Sequence, residues 1–201
     1  MMHHAATKWA ARLAALFVVA ISVAACGINT VPTQDEQVKA TWSEVQNQYQ
    51  RRADLIPNLV NTVKGYAKQE EAVLREVTEA RAHATQMTLP ADILTNPQAF
   101  HQYEQNQAAI GGALGRLLAV SERYPDLKSN QNFLVLQSQL EGTENRISVA
   151  RKDYIDAVQA YNTTLRTIPS RWIAAIFYPD AKPRETFAAS QQDQHVPDVK
   201  F

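Results

Sequence analysis

Residues Trp42–Arg81 read WSEVQNQYQRRADLIPNLVNTVKGYAKQEEAVLREVTEAR. Extended upstream to Val38 and downstream to Ala84, this stretch carries a single periodic seam. Val38, Trp42, Val45, Tyr49, Arg52, Ile56, Leu59, Val63, Tyr66, Glu70, Val73, Val77, Ala80 and Ala84 follow one another at alternating spacings of four and three. A period near 3.5 belongs to a helix with one buried face, not to a strand. The seam predicts a helix from about Asp35 to about Ala84, roughly 70 Å long if straight. Asp35 and Glu36 are expected in its first turn, where acids favour the helix dipole. Pro57 interrupts this reading, because it cannot donate to the Ala53 carbonyl and its ring crowds that turn. A kink near 53–57 is expected, with the helix resuming at once because the seam keeps its phase.

Two further helices follow. Met87–Asn96 is a break holding Pro90, and Asn96-Pro97 is an N-cap followed by a first helical residue. The second helix is expected over about Pro97–Arg123, with Phe100, Tyr103, Gln107, Ile110, Leu114 and Leu117 on its seam. Gly111, Gly112 and Gly115 either admit a closely packed neighbour or mark a soft spot, at roughly 1 kcal/mol each against alanine. The third helix starts near Ser129 or Asn130, both good caps, and ends near Ile168 before Pro169. Its stripe is Phe133, Leu136, Leu140, Ile147, Tyr154, Val158, Tyr161, Leu165 and Ile168. A short aromatic element, Ser170–Phe177, and a polar tail, 191–201, complete the chain. The fold class is all-α: an antiparallel bundle of three long helices plus a short C-terminal helix.

The N-terminus speaks to place. Leu13–Ala25 is a short apolar run preceded by Lys8 and Arg12 without an acid, and it ends in Val23-Ala24-Ala25 before the only cysteine, Cys26. A basic start, an apolar core and small residues at the end make a secretory signal. A cysteine directly after them resembles a bacterial lipobox, which implies cleavage between Ala25 and Cys26 and covalent lipid on Cys26. Two or more acyl chains hold a protein on a bilayer without a span. The alternative is an uncleaved single-pass inner-membrane anchor. Thirteen residues reach only roughly 20 Å, short of the ~30 Å hydrocarbon core. With the basic residues ahead of the apolar run, the helices belong outside the cytoplasm. The expected organisation is signal peptide 1–25, lipidated tether 26–34, bundle 35–190 and tail 191–201.

Composition narrows the chemistry. Without residues 1–25 the chain has 176 residues, with eighteen bases against twenty acids, and no basic footprint for nucleic acid. His83, His101 and His195 are scattered, and no glutamate has a histidine three residues later, so neither a metal nor another cofactor is expected. No GxSxG or phosphate-loop pattern occurs, and no enzyme activity is expected.

Two segments invite a functional reading. In the first, Arg52 falls on the apolar seam and needs a partner, with Glu141, Glu144 or Asp153 of the third helix within reach. Arg52, Asp54, Pro57 and Asn58 form either a register-fixing ion-pair site or a polar docking site at the kink. In the second, Trp172, Ile173, Ile176 and Phe177 either cap the core or meet the bilayer or a partner.

The quoted stretch closely resembles the LemA family of bacterial envelope proteins. The likeness continues through Glu122-Arg123-Tyr124-Pro125-Asp126-Leu127-Lys128 and Phe133–Leu136. It runs on through Glu141, Glu144, Arg151, Tyr154, Tyr161-Asn162, Ile168-Pro169 and the terminal Val196–Phe201. The resemblance implies a long-helix bundle tethered at the cell envelope by an N-terminal hydrophobic segment, and it implies no agreed reaction. The expected role is a non-enzymatic, membrane-tethered scaffold or adaptor that meets other envelope proteins and membrane lipid. The alternative is a homo-oligomer that binds or shapes the membrane directly.

Overall fold

The structure is a computed structural model that describes residues 27–187; the signal segment, Cys26 and the 191–201 tail lie outside the described residues. The described chain is all-helical, with no strand. Its elements are α1 (Thr30–Tyr66), α2 (Glu71–Gln86), a 3-10 turn at Ile93–Thr95, α3 (Pro97–Ser121), α4 (Pro125–Lys128), α5 (Gln131–Arg166) and α6 (Ser170–Phe177).

The first expected helix is two helices. It starts at Thr30, ahead of Asp35, so its first turn holds no acid; Pro32 sits in that turn, where a missing N–H costs nothing. It continues through Pro57 and ends at Tyr66, nine residues beyond it. The carbonyl orphaned by Pro57 finds another donor, as Arg81 Nε of α2 donates to Ala53 O at 2.8 Å. The break falls instead at Ala67–Glu70, between α1 and α2. There Ala67 N–H donates to Val63 O and Glu70 N–H to Ala67 O, at 2.9 and 3.1 Å. Glu70, which the seam placed on an apolar face, turns out of the helix. Its carboxylate accepts from Tyr124 Oη at 3.0 Å and pairs with Arg123 at 3.0 Å.

The other two long helices match their expected bounds closely. Asn96 caps α3, its side-chain oxygen accepting from Ala99 N–H at 3.1 Å, and Asn130 caps α5 by accepting from Phe133 N–H at 3.0 Å. All six seam positions of α3 are buried. Thr143 and Ala150 fill the gaps in the α5 stripe, and Thr143 disposes of its hydroxyl on Gln139 O. Ile168 falls outside α5 and is exposed. The glycines of α3 do not serve close helix approach: a Cβ on Gly115 would meet nothing within 4 Å, and one on Gly111 would make ordinary contact with Arg52.

The described residues form two compact units. One comprises the chain from Thr41 to Asp156 with the segment from Glu185 onward. It holds a mainly aliphatic core of Ile56, Leu59, Val63, Leu114 and Leu117, joined by Phe133. Full burial of such a side chain contributes about 1.5–3 kcal/mol. It also holds an aromatic cluster, in which Trp42 lies 5.5 Å from Phe100, 5.2 Å from Tyr103 and 5.4 Å from Tyr154, centroid to centroid. Phe187 packs 5.1 Å from Phe100 and 5.5 Å from Tyr154. Tyr66 accepts a hydrogen bond from Asn130 at 2.8 Å.

The second unit comprises the described residues up to Ala40 with Ala157–Arg184. Val31, Val38, Val158, Tyr161 and Ala174 are its buried apolar residues. Asn162 reads the backbone of Arg184 from both sides, donating to its carbonyl at 2.9 Å and accepting from its N–H at 2.8 Å. The Arg184 guanidinium in turn pairs with Asp35 through Nε at 3.0 Å and lies 5.6 Å from the Tyr161 ring.

Candidate functional site

The feature that most constrains function in the larger unit is Arg52. It occupies a seam position of α1, and its residue surface is only 3% exposed. Nη2 donates to Gln107 O at 2.9 Å and to Gln107 Oε1 at 2.8 Å. Nη1 reaches the Glu144 carboxylate at 3.3 and 3.4 Å. The guanidinium carbon stands 5.0 Å from the centroid of Tyr49, one turn earlier on α1. One planar fork therefore joins α1, α3 and α5, as only arginine can with several fixed donors on one delocalised charge. Its Nε is buried without a hydrogen-bond partner among the described residues.

The level at which Arg52 sits is the same on all three helices. Along α1, aromatic Trp42 and Tyr49 precede it and aliphatic Ile56 and Leu59 follow. On α3, Phe100 and Tyr103 give way to Ile110 and Leu114 across Gln107; on α5, Tyr154 and Leu140 lie on either side of Glu144. Arg52 thus marks the boundary between the aromatic and aliphatic cores. A one-turn slip of any helix would carry its partner away from a charge that cannot stay buried alone.

The other residues of this segment lie on the opposite side of α1. Arg51, Asp54, Pro57 and Asn58 are exposed. Asp54 accepts from the Gln50 side-chain amide at 2.8 Å. Of the three partners expected for Arg52, Glu144 is the one that pairs; Glu141 accepts from Gln137 on its own helix. Gln107 is a seam position of α3, and a glutamine on an apolar stripe is itself a sign of a buried polar contact.

Beside Arg52 lies a cleft of about 170 Å³, lined in part by Tyr49, Ala53, Met87, Tyr103 and Gln107. Burial pushes the Tyr49 and Tyr103 phenols above their ordinary value of 10. Both stay protonated at neutral pH, where they offer hydrogen bonding and not a phenolate. Among the described residues no cluster of three histidine, cysteine or carboxylate side chains could hold a metal ion. No helix of the described residues is long and apolar enough to cross a membrane.

In the smaller unit, α6 turns its apolar residues outward. Trp172 is 62% exposed, Ile176 72% and Phe177 56%, while Ala174 faces inward at 6%. Of the four residues read as a core cap or a contact face, Trp172, Ile176 and Phe177 are exposed among the described residues, and α6 spends only Ala174 and part of Ile173 on packing. Cys26, expected to carry lipid, and the Ala25–Cys26 cleavage point lie outside the described residues.

These features fit the comparison with known sequences. The LemA family profile matches residues 41–201. The chain belongs to the LemA family. It also resembles Magnetosome protein MamQ 2 of Paramagnetospirillum magneticum, with 27% identity over 167 residues, covering 74% of this chain and 60% of that protein. Magnetosome protein MamQ of Magnetospirillum gryphiswaldense is 24% identical over 164 residues, with the same coverage of 74% and 60%. This LemA-family chain thus spans about 60% of the length of these relatives. The family match takes in both the Arg52 layer and the Asn162–Arg184 clip, and it begins after Asp35.

Proposed function

We propose that this LemA-family protein is a non-enzymatic helical scaffold or adaptor of the bacterial envelope. Lipid on Cys26, the new N-terminus once the chain is cleaved after Ala25, holds it at the membrane, and its helices stand outside the cytoplasm. The body is an antiparallel bundle. The pairs Tyr66–Asn130 and Arg52–Glu144 support that order, since moving back along α1 moves forward along α5.

The observation that carries this reading is the use made of Arg52. A buried charge shared by three helices at one level fixes register in a body dominated by helices of 37, 25 and 36 residues. Such an investment suits a rigid surface on which other proteins dock, by helix-on-helix contact along exposed faces. The relatives' names point to a cellular structure and not to a reaction. On this reading Arg52 sets register, and exposed Asp54, Pro57 and Asn58 on the same stretch of α1 are available to a partner.

The test is cross-linking of the full-length protein in its native membrane, followed by mass spectrometry of what co-purifies. A scaffold yields the same heterologous envelope protein in repeated preparations. Asp54→Ala with Asn58→Ala weakens that capture, while a folded Arg52→Met variant retains it. Self-links alone from an otherwise clean preparation would reject the scaffold in favour of a homo-oligomer acting on the membrane. The exposed apolar residues of α6 favour that second reading.

A further inference from the structure

α6 stands beside Gly27, the first described residue of the chain. Gly27 immediately follows Cys26, and the backbone of Gly27 lies so close to α6 that a Cβ there would come within 2.9 Å of Ile173 Cδ1. The run Leu13–Ala25 ends two residues before Gly27. On the tethered reading the lipid sits on Cys26, one residue before Gly27, and consecutive Cα atoms are about 3.8 Å apart.

Next to Gly27, the helix carries the side chains of an interfacial element. Trp172 and Ile176 are one turn apart and share a face; Ile168, just ahead of α6, is 65% exposed, and Phe177 ends the helix. Tryptophan is enriched at the headgroup level because its ring is apolar with one polar N–H. Between Arg166 and Lys182 the sequence around this helix carries three exposed cations, Arg166, Arg171 and Lys182, against one acid, Asp180. Apolar side chains with Trp and Phe on one side and basic residues around them are the composition of helices that lie in a bilayer surface. Water-facing clusters of this kind on a helix mark a contact surface.

We propose that the Ile168–Phe177 segment is a second membrane contact: Trp172, Ile176 and Phe177 rest in the interfacial layer of the same bilayer that holds the N-terminal anchor. Arg166, Arg171 and Lys182 face anionic headgroups there. The proposal rests on the membrane-tethered reading above, and it adds to it an orientation. A single tether leaves a body free to tumble; a tether with an adjacent interfacial helix fixes which side faces the membrane. A side chain at Gly27 would have to move the flexible end of Ile173 aside.

The test uses the full-length chain carrying Trp9→Phe, reconstituted into vesicles of phosphatidylethanolamine and phosphatidylglycerol. Buried Trp42 and exposed Trp172 are then the only tryptophans. With lipids brominated at graded depths, we expect a blue-shifted Trp172 emission, quenched most by shallow bromines and shielded from iodide. Trp172→Phe should remove the quenched component and leave the Trp42 signal intact. Ile176→Glu, with helicity checked by circular dichroism, should return Trp172 to an iodide-accessible, red-shifted state while the protein still floats with vesicles. Flotation with unquenched Trp172 would overturn this proposal and leave the tether standing. Iodide shielding without lipid quenching would also overturn it, by assigning the face to another protein copy. Failure to float at all would reject the tether and this contact together.

Discussion

Because Pro57 has no N–H, the Ala53 carbonyl one turn earlier loses the donor that α1 would otherwise supply. Arg81 Nε, at 2.8 Å, occupies the vacated place. This explains how a 37-residue helix passes through a proline at an exposed position. The orphaned carbonyl was legible from the sequence; its rescuer was not, because Arg81 is twenty-eight residues away on another helix. An unsatisfied, partly buried carbonyl costs about 1–3 kcal/mol. We expect Arg81→Met to lower stability by about 1–2 kcal/mol in urea unfolding. In a Pro57→Ala background the same change should cost a few tenths, since alanine restores the internal donor. Equal costs in both backgrounds would show that Arg81 acts through something other than this carbonyl.

Arg52 differs in kind. Glu144 is 42% exposed at its side chain, so water compensates it if the guanidinium is lost, but buried Gln107 has no such recourse. Arg52→Lys keeps the charge and cannot serve Gln107 and Glu144 together. It should destabilise by about 1–2 kcal/mol, and Arg52→Ala by more, on the order of 3 kcal/mol. Lysine proving neutral in thermal melts would mean that charge, not the fork, is what the three helices share.

For whole elements, periodicity served well wherever a helix spends its apolar face continuously. The α3 seam and the α5 stripe were readable because each turn contributes a buried residue. The 35–84 reading failed because Tyr66, Glu70 and Val73 continue the spacing through the turn at Ala67–Glu70, although Tyr66 is 44% exposed and Glu70 is engaged with Arg123 and Tyr124. Spacing cannot distinguish a charged seam position that is buried, such as Arg52, from one that has turned away, such as Glu70. Glu70→Ala should loosen the joint between α1 and α2, losing about 1–2 kcal/mol. Hydrogen exchange of the amides in 67–74 should quicken more than that of α3; an unchanged rate there would mean that Ala67 and Leu74 packing alone holds the turn.

The extended segment after α6 escaped sequence reading altogether, since it has no period. Its anchors are Asn162, Asp35 and, at its end, Phe187. Burial opposes the Asp35 charge, but hydrogen bonds and charge from Arg184 and Lys39 outweigh it and hold the carboxyl below its ordinary 3.8. The folded state therefore favours ionised Asp35 more than the unfolded chain does. That contribution is present above about pH 4 and fades as pH falls through the lowered folded value. Asp35→Asn should lower the urea midpoint at pH 7 and flatten its decline below pH 4. A parallel decline in the variant would assign acid sensitivity to other carboxylates.

At the scale of the whole molecule, the described helices and the N-terminal segment answer different questions. The helices derive their stability from contacts within residues 27–187: the Arg52 layer, the aliphatic and aromatic cores, and the Arg184 clip. None of these contacts involves Cys26 in what is described. The proposed location rests on a short apolar run and one cysteine, a pattern legible in sequence because signal recognition acts on the unfolded chain. The two should separate experimentally. Cys26→Ala should leave the thermal transition of the helical body within about 0.5 kcal/mol of the parent, as expected of a change away from the core. The same variant should leave the lipid-modified membrane fraction and accumulate as an unprocessed or released form. If Cys26→Ala instead matures and fractionates as the parent does, lipid on that residue is not the anchor. The uncleaved single-pass segment would then take its place.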